Sequence, residues 1–102
     1  MNDKDFAKEV TRIINLVAVI IEENDIDGNI DVDINGDILN ITTQSGTFVI
    51  NKQSSVCEIW LSSPVSGPYH FLHDGRGWKS KSGDDLFEVL SMDLNVEIKD
   101  SI

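Results

Sequence analysis

Seven carboxylates fall within sixteen residues of this chain, in EENDIDGNIDVDINGD from Glu22 to Asp37. They are Glu22, Glu23, Asp25, Asp27, Asp31, Asp33 and Asp37, and no Lys, Arg or His interrupts them. Oxygen ligands without a neighbouring His or Cys suit hard or oxygen-loving ions: Mg²⁺, Ca²⁺, Mn²⁺, Fe²⁺ or Fe³⁺. Residues two apart on a strand stand roughly 6.6 Å apart along it, too wide to wrap one ion tightly. The chemistry expected is therefore weak, solvent-exposed binding of several cations. Asp31-x-Asp33-x-Asn35-Gly36 opens like a calcium-binding EF-hand loop. The bidentate Glu that such a loop needs at its twelfth position falls on Thr42, and ILNITT alternates like a strand where the exiting helix belongs. The plain alternative is a solvated charged surface. A surface needs no single sign for that, and neighbouring carboxylates repel until a cation relieves them.

A second feature is one tryptophan. In VCEIWLSS, Cys57, Ile59 and Leu61 fall on one side of a strand, and Glu58, Trp60 and Ser62 on the other. Burying the first set exposes Trp60, whereas the opposite register would bury Glu58 and expose Ile59 and Leu61, at greater cost. An exposed tryptophan on a sheet is a binding anchor, with Asn51 and Gln53 expected beside it. On the same alternation Cys57 is expected to be buried and inert.

The remaining constellations carry no chemistry. His70 and His73 lack Cys or carboxylate at zinc spacing and read as surface histidines. Gly75-Arg76-Gly77 lacks the Lys-Ser/Thr of a phosphate loop. Ser62 and Ser63 have no nucleophile elbow around them. No catalytic residue is expected.

The elements that must position these residues follow from periodicity. Asn2 or Asp3 caps a helix with Asp5 in its first turn. Phe6, Val10, Ile13, Ile14, Val17, Ile20 and Ile21 form one apolar stripe, and the helix fades near Asn24. From Ile30 the period becomes two. Asn35-Gly36 signals a hairpin with a type I′ turn. Strands follow through Leu39–Ile41, Thr47–Ile50, Cys57–Leu61 and Tyr69–Leu72, with a short one at Gly77–Ser80. Gly83-Asp84 then opens a second helix, with Asp84 and Asp85 in its first turn and Leu86, Phe87, Leu90 and Leu94 as its apolar face. Helix, antiparallel meander, helix is an α+β pattern. Each helix has one apolar face, so both pack on the same face of the sheet, in a two-layer α-β sandwich whose other face is open.

The 102 residues suit one domain, 1–102, with one core. The net charge of −10 disfavours nucleic acid and anionic membrane surfaces and favours cations or a basic protein. It also favours a monomer until cations screen the repulsion. The longest apolar run, Leu16 to Ile21, is too short to span a bilayer, which takes about 20 residues. A lone cysteine fits a reducing compartment.

These residues resemble a known family. GTFVINKQSSVCEIWLSSPVSGPYHF, Gly46 to Phe71, resembles the central sheet of frataxins, with NKQ followed by IWLSSP and SGP as its most specific part. EENDIDGNIDVDINGDILNIT resembles the acidic ridge of the same family, including its bacterial CyaY-type members. WKSKSGDDLFEVL resembles its last strand and second helix. The resemblance runs in order from about Asp3 to Leu94. It implies an iron-binding protein of iron–sulfur cluster assembly that binds the complex of cysteine desulfurase and scaffold protein, modulates sulfur transfer and delivers or senses iron. By motif position it implies contact with Fe²⁺ or Fe³⁺ at Glu22, Glu23, Asp25, Asp27, Asp31 and Asp33, with Asp3 and Asp37 at the margins. It implies a partner surface at Asn51, Gln53, Glu58 and Trp60, and oligomerisation with iron.

Some positions depart from the family pattern. Glu58 stands where Gln is common, and His70 where some eukaryotic members are basic. The short C-terminal tail is expected to leave the gap between the helices open and to lower stability. The absence of an N-terminal extension points to a bacterial, cytoplasmic protein. Two rival readings accompany the iron adaptor: a ferroxidase or iron store, credited to some family members, and a metal-independent electrostatic interaction module.

Overall fold

The computed structural model describes residues 1–100. Its elements run α1 (Asp3–Asn24), β1 (Asp31–Asn35), β2 (Ile38–Thr43), β3 (Gly46–Gln53), β4 (Glu58–Ser63), β5 (Gly67–His73), β6 (Trp78–Lys79) and α2 (Leu86–Leu94). The strands form one antiparallel sheet in the order β1-β2-β3-β4-β5-β6. The expected two-layer arrangement is the one found.

Asn2 caps α1, its side chain accepting from the Asp5 amide at 2.8 Å. Phe6, Val10, Ile13, Ile14, Val17, Ala18 and Ile21 form the buried side of α1. They meet Leu39, Ile41, Phe48, Ile50, Ile59, Leu61, Phe71 and Trp78 from one face of the sheet, together with Leu86, Val89, Leu90 and Leu94 of α2. This is one contiguous core, and burying it is the main driving force of the fold. The sheet's other face stays open to solvent.

Five expectations are corrected. Asn35 pairs with Ile38, so the central residues of the first hairpin are Gly36 and Asp37. Gly36 has φ +62° and Asp37 has no positive φ, which is the signature of a type II′ turn, not type I′. Asp85, not a residue of the first turn, is the N-cap of α2, accepting from the Glu88 amide at 3.1 Å, and Asp84 precedes it. Phe87 is only partly buried, and Val89 takes its place in the core.

Cys57 is not on an inward-facing strand row. It lies in the turn before β4 with φ +52°, half-buried, its Sγ 3.7 Å from Asp3 Oδ1. The alternation of Cys57 with Ile59 and Leu61 extends one residue past the ladder, whose last pair is Gln53 with Glu58.

The fifth correction concerns the tail. Residues 95–100 do not leave the helices uncovered. Asn95 ends α2 in a left-handed conformation, and the chain turns back so that Ile98, 3% exposed, joins the core. Ser91 Oγ donates to the Ile98 carbonyl at 3.0 Å and accepts from its amide at 2.9 Å. Arg12 of α1 then grips Asp100 through both terminal nitrogens, at 3.1 and 2.7 Å, while holding Glu9 at 2.7 and 2.9 Å. The tail is a strap from α2 to α1.

Candidate functional site

The acidic stretch spans the end of α1, the connection and β1. Glu22 and Glu23 lie in the last turn of α1, which contains no basic residue. Asp27 sits in the connecting turn, and Asp31 and Asp33 point to the open face of β1. All five are exposed. None takes part in an ion pair among the described residues. Among those residues no three His, Cys, Asp or Glu side chains converge on a point that could hold a metal ion. The five form a row of separated carboxylates, not a cage. Each position offers one or two oxygens, and water would complete an ion's shell.

Three other carboxylates are placed differently. Asp25 uses both oxygens inside the fold, accepting from the amides of Asn29 at 2.9 Å and Ile30 at 3.0 Å. It shapes the turn from α1 into β1. Asp37 lies in the β1–β2 turn and pairs with Lys52 at 3.0 Å. Asp3 begins α1 beside Cys57, about 30 Å along the helix axis from Glu23 at about 1.5 Å per residue. Among the described residues, Glu22, Glu23, Asp27, Asp31 and Asp33 are thus the exposed, unpaired carboxylates of the segment that runs from the end of α1 into β1, whereas Asp3 begins α1 and Asp37 is answered by Lys52.

The second region is on the open face of the central strands. Asn51 pairs with Trp60, and Gln53 with Glu58, so all four side chains lie on the same face. Trp60 is half-exposed. Its indole Nε1 donates to Glu58 Oε1 at 2.7 Å. Its ring stacks on His70, centroids 4.1 Å apart and planes 7° from parallel. His70 Nδ1 is 3.8 Å from that same Glu58 oxygen. Sequence reasoning missed His70, which is no isolated surface histidine. The signal that finds it is hairpin register. Residues 64–66 connect β4 to β5, and pairing Ser63 with Gly67 brings His70 opposite Trp60. His73 is also engaged, edge-on to Trp78 at 5.2 Å.

Three titrations are displaced, none of them at these regions; the first is that of the Arg12 guanidinium, raised by its hydrogen bonds to Glu9 and Asp100. The Arg12 guanidinium holds the Glu9 carboxyl below its usual range against the opposing effect of burial. The Asp74 carboxyl is lowered because the amides of Arg76 and Gly77 donate to it.

Comparison with known proteins points one way. The frataxin-like domain profile matches residues 1–100. A curated relative, the mitochondrial frataxin-like protein of Leishmania donovani, is 35% identical over an alignment covering 90% of this chain and 54% of that protein. The chain thus spans about half the length of that relative. Frataxin from Psychromonas ingrahamii, studied as a member of the CyaY family, superposes with a TM-score of 0.82 at 23% identity, covering 97% of each chain. Trimeric frataxin from Saccharomyces cerevisiae gives 0.75 at 29% identity, covering 85% of this chain and 76% of that one. The trimeric yeast protein complexed with ferrous iron gives 0.71 at 26% identity, covering 93% and 84%. Sheet order, helix placement and sequence profile agree, and the chain belongs to the frataxin-like domain family.

Proposed function

We propose that this protein is a non-catalytic, iron-binding accessory of iron–sulfur cluster assembly, with two separate working surfaces. The ridge formed by Glu22, Glu23, Asp27, Asp31 and Asp33 takes up Fe²⁺ or Fe³⁺ weakly and presents negative charge to a basic partner. Asn51, Gln53, Glu58 and Trp60 on the open sheet face dock the complex of cysteine desulfurase and scaffold protein. Asp25 supports the ridge by shaping its turn, and Asp3 and Asp37 lie outside it.

The observation that carries this reading is the row of five exposed carboxylates that no Lys, Arg or His of the described chain neutralises. A fold that gained nothing from that charge would do better to pair it, because like charges destabilise the compact state. Oxygen-only donors favour hard or oxygen-loving ions. Iron is the choice supported by family membership and by the yeast relative solved with ferrous iron. The trimeric yeast relatives, one of them complexed with ferrous iron, support self-association, and bound ions would screen the repulsion that otherwise favours a monomer.

The test is an anaerobic Fe²⁺ titration followed on the backbone amides, with Ca²⁺ as the comparison ion. Amides of residues 22–33 should broaden or shift first, while those of Asp3 and Asp37 stay unaffected. Indifference of this segment to iron would remove the metal role. Separately, Trp60→Ala should keep its far-UV spectrum and lose desulfurase–scaffold binding. Unchanged binding would remove the docking face.

A further inference from the structure

We propose that Glu58 and His70 are positioning residues that fix Trp60 in one orientation on the open face, and that His70 makes this hold responsive to pH. The proposal rests on the docking role given to Trp60 above. Cross-strand register sets the arrangement, since Trp60 on β4 lies directly opposite His70 on β5. The indole is restrained on two sides. The imidazole covers one ring face at 4.1 Å and 7°, and the Glu58 carboxylate takes the indole N–H at 2.7 Å. A half-exposed tryptophan without these contacts would sample several rotamers and would have to be ordered on docking. Fixing it beforehand is a gain of about two- to ten-fold in affinity.

Histidine is the side chain whose charge changes between about pH 5 and 8. The groups facing His70 are Glu58 and Trp60 from β4, with Lys81 and Asp84 from the segment between β6 and α2. All of these but Trp60 line, with His70 and Tyr69, one cavity of about 370 Å³. Lys79, on the adjoining strand, is engaged with Asp85 at 3.4 Å. A protonated His70 presents a cation to the indole face and its Nδ1–H to the Glu58 carboxylate, 3.8 Å away. Both contacts therefore tighten as pH falls, and Lys81 works against them.

The experiment first uses the free protein. The indole N–H signals of Trp60 and Trp78 are followed by NMR from pH 8 to 5.5. The Trp60 signal should move along a single titration curve in the wild type. It should stay still in His70→Phe, which keeps the stacked ring but cannot titrate, and move less in Glu58→Gln. His73→Gln should leave the Trp60 curve unchanged, because His73 faces the other tryptophan. A stationary Trp60 signal in the wild type, or the same movement in His70→Phe, overturns the proposal.

The second measurement is binding to the desulfurase–scaffold complex. Glu58→Ala should bind about two- to ten-fold more weakly with its fold intact. The affinity ratio of wild type to His70→Phe should rise between pH 8 and pH 5.5. A ratio flat with pH overturns the switch. If the indole signals behave as described and no form of the protein binds, the docking reading fails while the hold on the indole stands.

Discussion

Neutralising Asp31 and Asp33 together should stabilise this protein and, on the proposed function, weaken its affinity for Fe²⁺ at the same time. Both residues point to the open face of β1, exposed and without an ion-pair partner among the described residues. Their spacing along the strand is about 6.6 Å. Two unit charges at that distance in water repel by about 0.6 kcal/mol, and screening at 0.15 M salt leaves about 0.3 kcal/mol. Asp31→Asn with Asp33→Asn removes this repulsion and a similar sum of smaller ones toward Glu22, Glu23 and Asp27. The expected gain is about 0.5–1 kcal/mol, or about 2–6 °C in Tm for a domain of this size. Thermal unfolding by far-UV circular dichroism measures it. The gain should be largest in dilute buffer and should nearly vanish at 1 M salt, where the screening length is about 3 Å. A lower Tm for the double variant, or a gain that persists at 1 M salt, would refute the view that the ridge is a site of uncompensated repulsion.

Three further outcomes test the surrounding structure. Asp25→Ala should cost about 1–2 kcal/mol in urea unfolding, because it orphans the amides of Asn29 and Ile30, whereas Glu23→Ala should stay within about 0.5 kcal/mol. Ile98→Ala should cost about 2–4 kcal/mol, as befits a core residue 3% exposed; a change within error would show that the strap does not hold the helices. The depressed Glu9 titration contributes stability that is present above the usual carboxylate range and lost as pH falls through the lowered folded value. Stability measured from pH 6 to pH 3 should therefore fall less steeply in Arg12→Met than in the wild type.

Much of this architecture is written in periodicity. The apolar stripe from Phe6 to Ile21 specifies a helix with one buried side, and alternation in ILNIT and EIWLS specifies which sheet face meets it. Trp60 falls on the open face because the opposite register would bury Glu58. What escaped the sequence depends on pairing between segments. The first turn's type follows from Asn35 lying opposite Ile38, which no dipeptide reports. The alternation through Cys57 looks like strand, yet the ladder ends at Glu58. Val96 and Ile98 are too few to show a period, so the short tail suggests little cover over the gap between the helices, yet it reaches from α2 to α1. In the acidic stretch, composition announced charge but could not distinguish a carboxylate that builds the turn, Asp25, or one answered by Lys52, Asp37, from those left open to solvent. The stacking of His70 on Trp60 is hidden in cross-strand register in the same way.

Every strand of the sheet hydrogen-bonds only with its neighbours in the chain, so the meander can zip up from successive hairpins with little loop closure. The grip of Arg12 on Asp100 is of another kind, spanning 88 positions. Contacts that close so large a loop tend to form after the main barrier, and bonds absent from the transition state govern how fast a native molecule opens more than how fast it forms. Severing the strap should therefore leave the folding rate nearly unchanged and quicken unfolding. On this view the lifetime of the folded molecule depends on Ile98 and Asp100, two residues that lie outside both proposed surfaces.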